Sequence, residues 1–204
     1  MRKQLIESVS DYYSGKLANA KSSHEAVDWN SEAGQILRFE KLVSQFKDNL
    51  NDSSINDYGC GTGKFAEWSD SKFTNLTYCG CDVSGDMVSK ASSSHGDRFT
   101  VGTKCDKMAS YGVASGIFNV MLNNKKEEWK EYIFNMLETI NSETSKGFAV
   151  NFLTSYSDKE FMRDDLYYAD PSEMFDHCMR KFSRKVSLIH DYELYEFSIS
   201  VIKS

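Results

Sequence analysis

Ile55-Asn56-Asp57-Tyr58-Gly59-Cys60-Gly61-Thr62-Gly63 places three glycines at alternate positions, the first of them two residues after an acid. Glycine has no Cβ and adopts positive φ freely, so the run reads as a loop whose amide groups a ligand can approach closely. Two phosphate-binding loops fail its spacing. A Walker loop needs G-x-x-x-x-G-K-[ST], yet counting back from Gly63-Lys64 finds Tyr58 where the first glycine belongs, and Phe65 follows the lysine. A dinucleotide fingerprint needs G-x-G-x-x-G, and from Gly59-x-Gly61 the third glycine would fall at Lys64.

From Ser54 onward, short β-prone runs alternate with helical patterns. The runs are Ser54–Tyr58, Thr77–Asp82, Arg98–Gly102, Tyr111–Ser115 and Gly147–Leu153, which predicts parallel α/β winding. The clearest helix spans Glu127–Thr139, with Trp129, Tyr132, Ile133, Met136, Leu137 and Ile140 on one face. Asp170-Pro171-Ser172-Glu173 supplies a cap, a first-turn proline and a capping-box glutamate for another. Lys185–Ile189 and Tyr195–Ile202 are β-rich and only five residues apart, so they form an antiparallel hairpin; a parallel pair would need a longer crossover. In the second of them Tyr195, Phe197, Ile199 and Val201 alternate with Glu196, Ser198 and Ser200.

Upstream, Gln4 to Gly15 reads as helical, a mixed segment runs through Trp29, and Asn30 or Ser31 caps a helix from Glu32 to about Phe46. Ile36, Phe39, Leu42, Val43 and Phe46 repeat there at helical period. The expected architecture is a single domain over 1–204, a helical cap over 1–50 and an α/β core over 51–204, with a seven-stranded, mostly parallel sheet.

Bulk properties narrow the function. A net charge of 24 − 30 = −6 disfavours a nucleic-acid binder. Five cysteines without a C-x-x-C pair fit a reducing compartment rather than a disulfide framework or a zinc site. The first residues lack a signal-peptide core and no run approaches the ~20 apolar residues of a membrane span, so a soluble, cytoplasmic protein without bound metal is expected.

Acid-x-Gly-x-Gly-x-Gly between a strand and a helix resembles the class I, Rossmann-like S-adenosylmethionine-dependent methyltransferases, in particular small bacterial stand-alone members. The bland alternative is a generic glycine turn. The resemblance implies S-adenosylmethionine as cofactor. Amides of Gly59, Cys60, Gly61 and Gly63 would face its carboxylate, and Asp57 its ammonium, directly or through water. Asp82 stands 82 − 63 = 19 residues past the last glycine, at a strand end, where such folds hold ribose hydroxyls; a helix cap for Ser84–Lys90 is its structural alternative. Val83 and Met87 would then lie near the adenine. The loop Gly102–Asp106 would border the same ring, offering Lys104, Cys105 or Asp106. Ser115 and Gly116 would lie beside the sulfonium.

In the N-terminal region the resemblance implies that Arg38 pairs with the methionyl carboxylate. Tyr12, Tyr13 or Trp29 would face the sulfonium, a cation that aromatic faces attract by roughly 0.5 to 2 kcal/mol. The Asn/Asp-Pro-Pro-Tyr/Phe signature of nucleic-acid amine methyltransferases is absent, so the expected partner is a small acceptor molecule. His190, Asp191, Tyr167 and Tyr168 are places for a general base, none of them assigned, and the connection Thr154–Asp170 is the expected acceptor lid. Two other readings are a non-catalytic binding module of the same fold and an oxidoreductase with a shortened glycine loop.

Overall fold

The computed structural model describes residues 2–19 and 31–203. Helix α1 (Arg2–Asn19) precedes α2 (Glu32–Val43), which starts where Ser31 leaves helical geometry and its hydroxyl accepts from the Gly34 amide at 3.1 Å. Alternation then begins as the sequence predicts: β1 (Ser54–Tyr58), α3 (Lys64–Lys72), β2 (Thr77–Asp82), α4 (Gly85–His95), β3 (Phe99–Val101), β4 (Ala109–Ala114), α5 (Lys126–Ser142) and β5 (Thr144–Thr154). After a two-residue β6 (Tyr168–Ala169) come α6 (Pro171–Lys181), β7 (Lys185–Ile189) and β8 (Glu196–Ile202).

The strands form one sheet in the order β3-β2-β1-β4-β5-β8-β7, with β6 pairing separately with the end of β5. The first five along this path are parallel, while β8 runs antiparallel to both β5 and β7. The expected seven-stranded sheet and its hairpin are therefore present, with β6 as a short addition. Because β1 has neighbours on both sides, the glycine loop leaves the sheet from its middle, where strand ends on either side surround it.

Two clusters cover the two faces. Trp129, Ile133, Met136, Leu137 and Ile140 of α5 pack with Phe148, Val150 and Phe152 of β5 and with Phe197, Ile199 and Val201 of β8. Phe39, Leu42 and Val43 of α2 pack with Ile55, Phe65, Tyr111, Val113 and Ala149. The indole N–H of Trp129 donates to the Phe118 carbonyl at 2.8 Å, which ties α5 to the loop after β4.

Two expectations change. Ile36 is 37% exposed, and Gln35 and Arg38 are buried in its place beside Phe39 and Leu42. The period is helical as predicted, but apolar periodicity alone does not reveal which polar neighbours lie under the same face. The reason is visible in β8, whose alternation predicts one wet face. Glu196, Ser198 and Ser200 are at most 1% exposed, and α2 packs on the sheet at β5 and β8. A carboxylate under a helix needs a cation from it, and Arg38 supplies one.

Candidate active site

The glycine loop is stitched to the end of β2. The Gly59 and Cys60 amides donate to the Cys81 carbonyl at 2.7 and 3.0 Å, and the Gly61 amide donates to Asp82 Oδ2 at 2.9 Å. Gly59, Gly61 and Gly63 have φ of 74°, 53° and 84°, the left-handed region that only glycine enters without strain. Two of them also leave no room for a side chain. A Cβ on Gly59 would sit 2.1 Å from Ile117 Cγ2, so this glycine lets the loop after β4 close in. A Cβ on Gly63 would sit 2.7 Å from His95 Cδ2, so Gly63 serves the packing of α3 on α4, and its own amide is used by the Cys60 carbonyl.

Around this loop lies a cleft of about 940 Å³, part of it open to solvent. From the end of β1 it is lined by Asp57, from the glycine loop by Gly59, Cys60 and Gly61, from the end of β2 and just beyond by Asp82 and Val83, from α4 by Met87, from the loop after β4 by Ser115 and Gly116, and from α1 by Tyr13. Helix α1 is held over it by hydroxyls: Ser10 donates to the Val83 carbonyl at 3.0 Å, and Ser14 and Ser84 share a hydrogen bond of 2.9 Å.

Two carboxylates dominate the cleft's electrostatics. Asp57 is 2% exposed and its Oδ2 accepts from the Tyr78 hydroxyl at 2.8 Å. Burial, reinforced by the charge of Asp82, pushes its carboxyl from 3.8 up to about 7 against the opposing Tyr78 hydrogen bond. Asp82 is also raised by burial, although backbone amides of Ser84 and Gly61 bind its two oxygens at 2.9 Å each. The cap of α4 is Ser84, whose hydroxyl accepts from the Met87 amide, so Asp82 shapes the turn before the helix and faces the cleft at once. Burial also drives the Cys60 thiol upward, which keeps it protonated.

Other sequence-predicted residues lie elsewhere. Gly102 and Thr103 line the cleft, whereas Lys104, with a side chain 64% exposed, reaches Glu143 Oε1 at 3.7 Å. Cys105 is buried with its thiol donating to the Cys79 carbonyl at 3.5 Å, and Asp106 is exposed. Only the first residues of the expected loop line the cleft, because the chain then turns a small thiol under β2. Arg38 does not line this cleft: its guanidinium donates to Glu196 through Nε at 2.9 Å and Nη2 at 2.8 Å. Trp29 lies outside the described residues. Gln35 and Thr62 also line the cleft, as do Phe39, Tyr132 and Met136, which the sequence marks only as apolar helix faces. Gln35 could have been found as the residue one turn before Phe39 on the buried face of α2.

A second space of about 1100 Å³, also partly open to solvent, adjoins the first, and Tyr13 and Gly116 line both. Its walls include Val120, Leu153, Phe161, Leu166, Tyr168 and Tyr195, with Arg38 and Glu196 also lining it. The expected lid builds one wall. The Met121 and Leu122 amides donate to the Asp165 carbonyl, and the Tyr167 amide to that of Asn119, which fastens this connection to the loop after β4. Of the residues considered for a base, Tyr168 lines the cavity. Tyr167 is buried in the core, and Asp191 is drawn off to Lys41 at 2.7 Å.

A Mycobacterium tuberculosis protein named as a putative methyltransferase is 46% identical to this chain over 155 residues, covering 74% of the chain and 93% of the relative. The chain belongs to this methyltransferase family. No protein-family model matches it. Among solved structures, the magnesium protoporphyrin IX methyltransferase of Synechocystis PCC 6803 with bound SAH superposes with a TM-score of 0.68 at 14% identity, covering 98% of this chain and 99% of that one. The plantazolicin methyltransferase BpumL, solved with a desmethyl substrate analogue and SAH, gives 0.68 at 14% identity over 98% and 97%. These likenesses establish the Rossmann-like methyltransferase fold. Among the described residues, this family member has no helix long and apolar enough to cross a membrane.

Proposed function

We propose that this protein is an S-adenosylmethionine-dependent methyltransferase whose cofactor occupies the glycine-loop cleft and whose acceptor is a small molecule in the adjoining cavity. The observation that carries the reading is the junction itself: Tyr13 and Gly116 line both spaces. A methyl group passing between two bound molecules needs such a shared wall, because transfer requires the donor carbon and the acceptor in line and in contact.

The residues present fit the cofactor. Asp82 offers a buried carboxylate at the end of β2 for ribose hydroxyls, and Asp57 offers one for an ammonium. The Ser115 hydroxyl is buried on the cleft wall without a hydrogen-bond partner, an orphan that a polar ligand would satisfy. The first turn of α3 opens onto the cleft at Lys64 and Phe65 and favours a carboxylate. Bound there, the cofactor supplies an electrophilic methyl on a sulfonium. The protein's part is alignment and exclusion of water: Tyr13 offers an aromatic face at the junction, and Phe161, Leu166 and Tyr195 give the acceptor an apolar surround. Isothermal titration with S-adenosylmethionine and S-adenosylhomocysteine tests the cofactor, and no binding of either at millimolar concentration would sink the reading. Incubation with an acceptor library, scored by S-adenosylhomocysteine release, tests transfer.

Asp57 sets a pH dependence. An ammonium ligand binds its ionised form, and a carboxyl of pKa about 7 loses that form by about tenfold for each pH unit below 7. Affinity for S-adenosylhomocysteine should therefore fall as pH drops from 7.5 to 5.5, with proton release on binding at pH 6; a flat profile would place the ammonium elsewhere. The sign for stability is opposite. A carboxyl raised in the folded state favours folding at low pH, and that contribution is lost as pH rises from 3.8 to about 7.

Asp82→Ala should weaken S-adenosylhomocysteine binding by about 1 to 3 kcal/mol, the cost of one or two hydrogen bonds to a buried ligand, or about 5- to 150-fold. Wild-type affinity in this variant would show that the ribose lies elsewhere.

A further inference from the structure

Three buried polar side chains on three elements form a chain of hydrogen bonds that ends on Gly116. The Gly116 amide donates to Asn151 Oδ1 at 2.7 Å, and Asn151 Nδ2 donates to Glu196 Oε2 at 2.8 Å. Glu196 in turn receives Nε and Nη2 of Arg38. Asn151 is 0% and Glu196 1% exposed, in strands whose other inward residues are apolar or small.

Stability does not account for this arrangement, because a buried ion pair stabilises a fold little or not at all relative to well-packed apolar residues. Chemistry at its end does. The Glu196 carboxylate demands a donor and the Gly116 amide demands an acceptor. A planar amide offers both at once, so its orientation is locked from two sides. Gly116 needs such a lock: its φ of 79° is left-handed, it lies past the end of β4, and it lines both cavities. Resting on the reading of the first cleft as the cofactor site, we propose that Asn151 is a positioning residue which, oriented by Arg38 and Glu196, fixes Gly116 in the turn that separates cofactor from acceptor.

An aspartate at this position tests the orientation rather than mere size. Protonated, it can donate to Glu196 and accept from Gly116; ionised, it sets a second carboxylate against Glu196. Among the described residues, the charged and titratable groups around it include Arg38 from α2, Glu196 from β8 and Tyr192 from the β7–β8 connection, whose hydroxyl is hydrogen-bonded to Ser198 at 3.0 Å. The experiment is titration of S-adenosylhomocysteine into wild type, Asn151→Asp and Asn151→Ala at pH 6 and pH 9, with each variant expressed as a ratio to wild type so that Asp57 cancels. Asn151→Ala is expected at least tenfold weaker at both pH values. Asn151→Asp is expected within threefold of wild type at pH 6 and at least tenfold weaker at pH 9. Equal ratios for Asn151→Asp at the two pH values, or wild-type affinity in Asn151→Ala, would overturn the proposal. Amide exchange keeps the test independent of variant folding: in the wild type the Gly116 amide should be among the slowest of the loop after β4, and rapid exchange would also overturn it. If the wild type itself binds no S-adenosylhomocysteine, the cofactor reading falls and the proposal with it. If it binds and the ratios are flat, only the positioning role falls.

Discussion

Gly61→Val is expected to abolish cofactor binding, with a loss of at least about a hundredfold in S-adenosylhomocysteine affinity, or roughly 2.7 kcal/mol. Two effects add. The residue sits at φ 53°, where a β-branched side chain costs about 1 to 2 kcal/mol and the turn relaxes away from Asp82, which now accepts its amide at 2.9 Å. Gly61 also lines the cleft, so added bulk at this position competes with the ligand for space. Gly61→Ala carries the same backbone cost with one methyl group and should fall between, which separates conformation from bulk. Titration calorimetry on folded variants measures both, and affinity within threefold of wild type for the valine would remove the loop from the site.

Removing one member of the buried Arg38–Glu196 pair is expected to cost about 3 to 5 kcal/mol, since it strands the other charge away from water. Urea denaturation of Glu196→Ala should show this as a lowered midpoint with an unchanged slope. Arg38→Met combined with Glu196→Leu should recover at least about 2 kcal/mol of the loss, because two apolar side chains leave no unpaired charge behind. Equal destabilisation in the single and double variants would mean that the pair is not the source.

Much of the fold was legible because its elements are patterned locally. The glycine run, the strand–helix alternation from Ser54 onward and the cap Asp170-Pro171-Ser172-Glu173 each follow from residues within a few positions of one another, and each appears where expected. The cap itself agrees, with Asp170 accepting from the Ser172 and Glu173 amides, but the Glu173 carboxylate goes to Lys130 at 2.8 Å and not to the capping box. The short β6 was not legible, since two residues hold a strand only through their pairing with Leu153 and Thr154.

The site divides along the same line. By itself the sequence determined a glycine loop between strand and helix, the exclusion of Walker and dinucleotide spacing, and an acid at the next strand end, because loop conformation and chain distance are local properties. Tertiary structure alone decided the fate of individual side chains. It gave Gly63 to helix packing and Lys104 to Glu143, and it placed Arg38 opposite Glu196, a residue 158 positions away. A charged side chain goes to whichever partner compensates its desolvation, and that partner comes from a distant element which no local pattern can name.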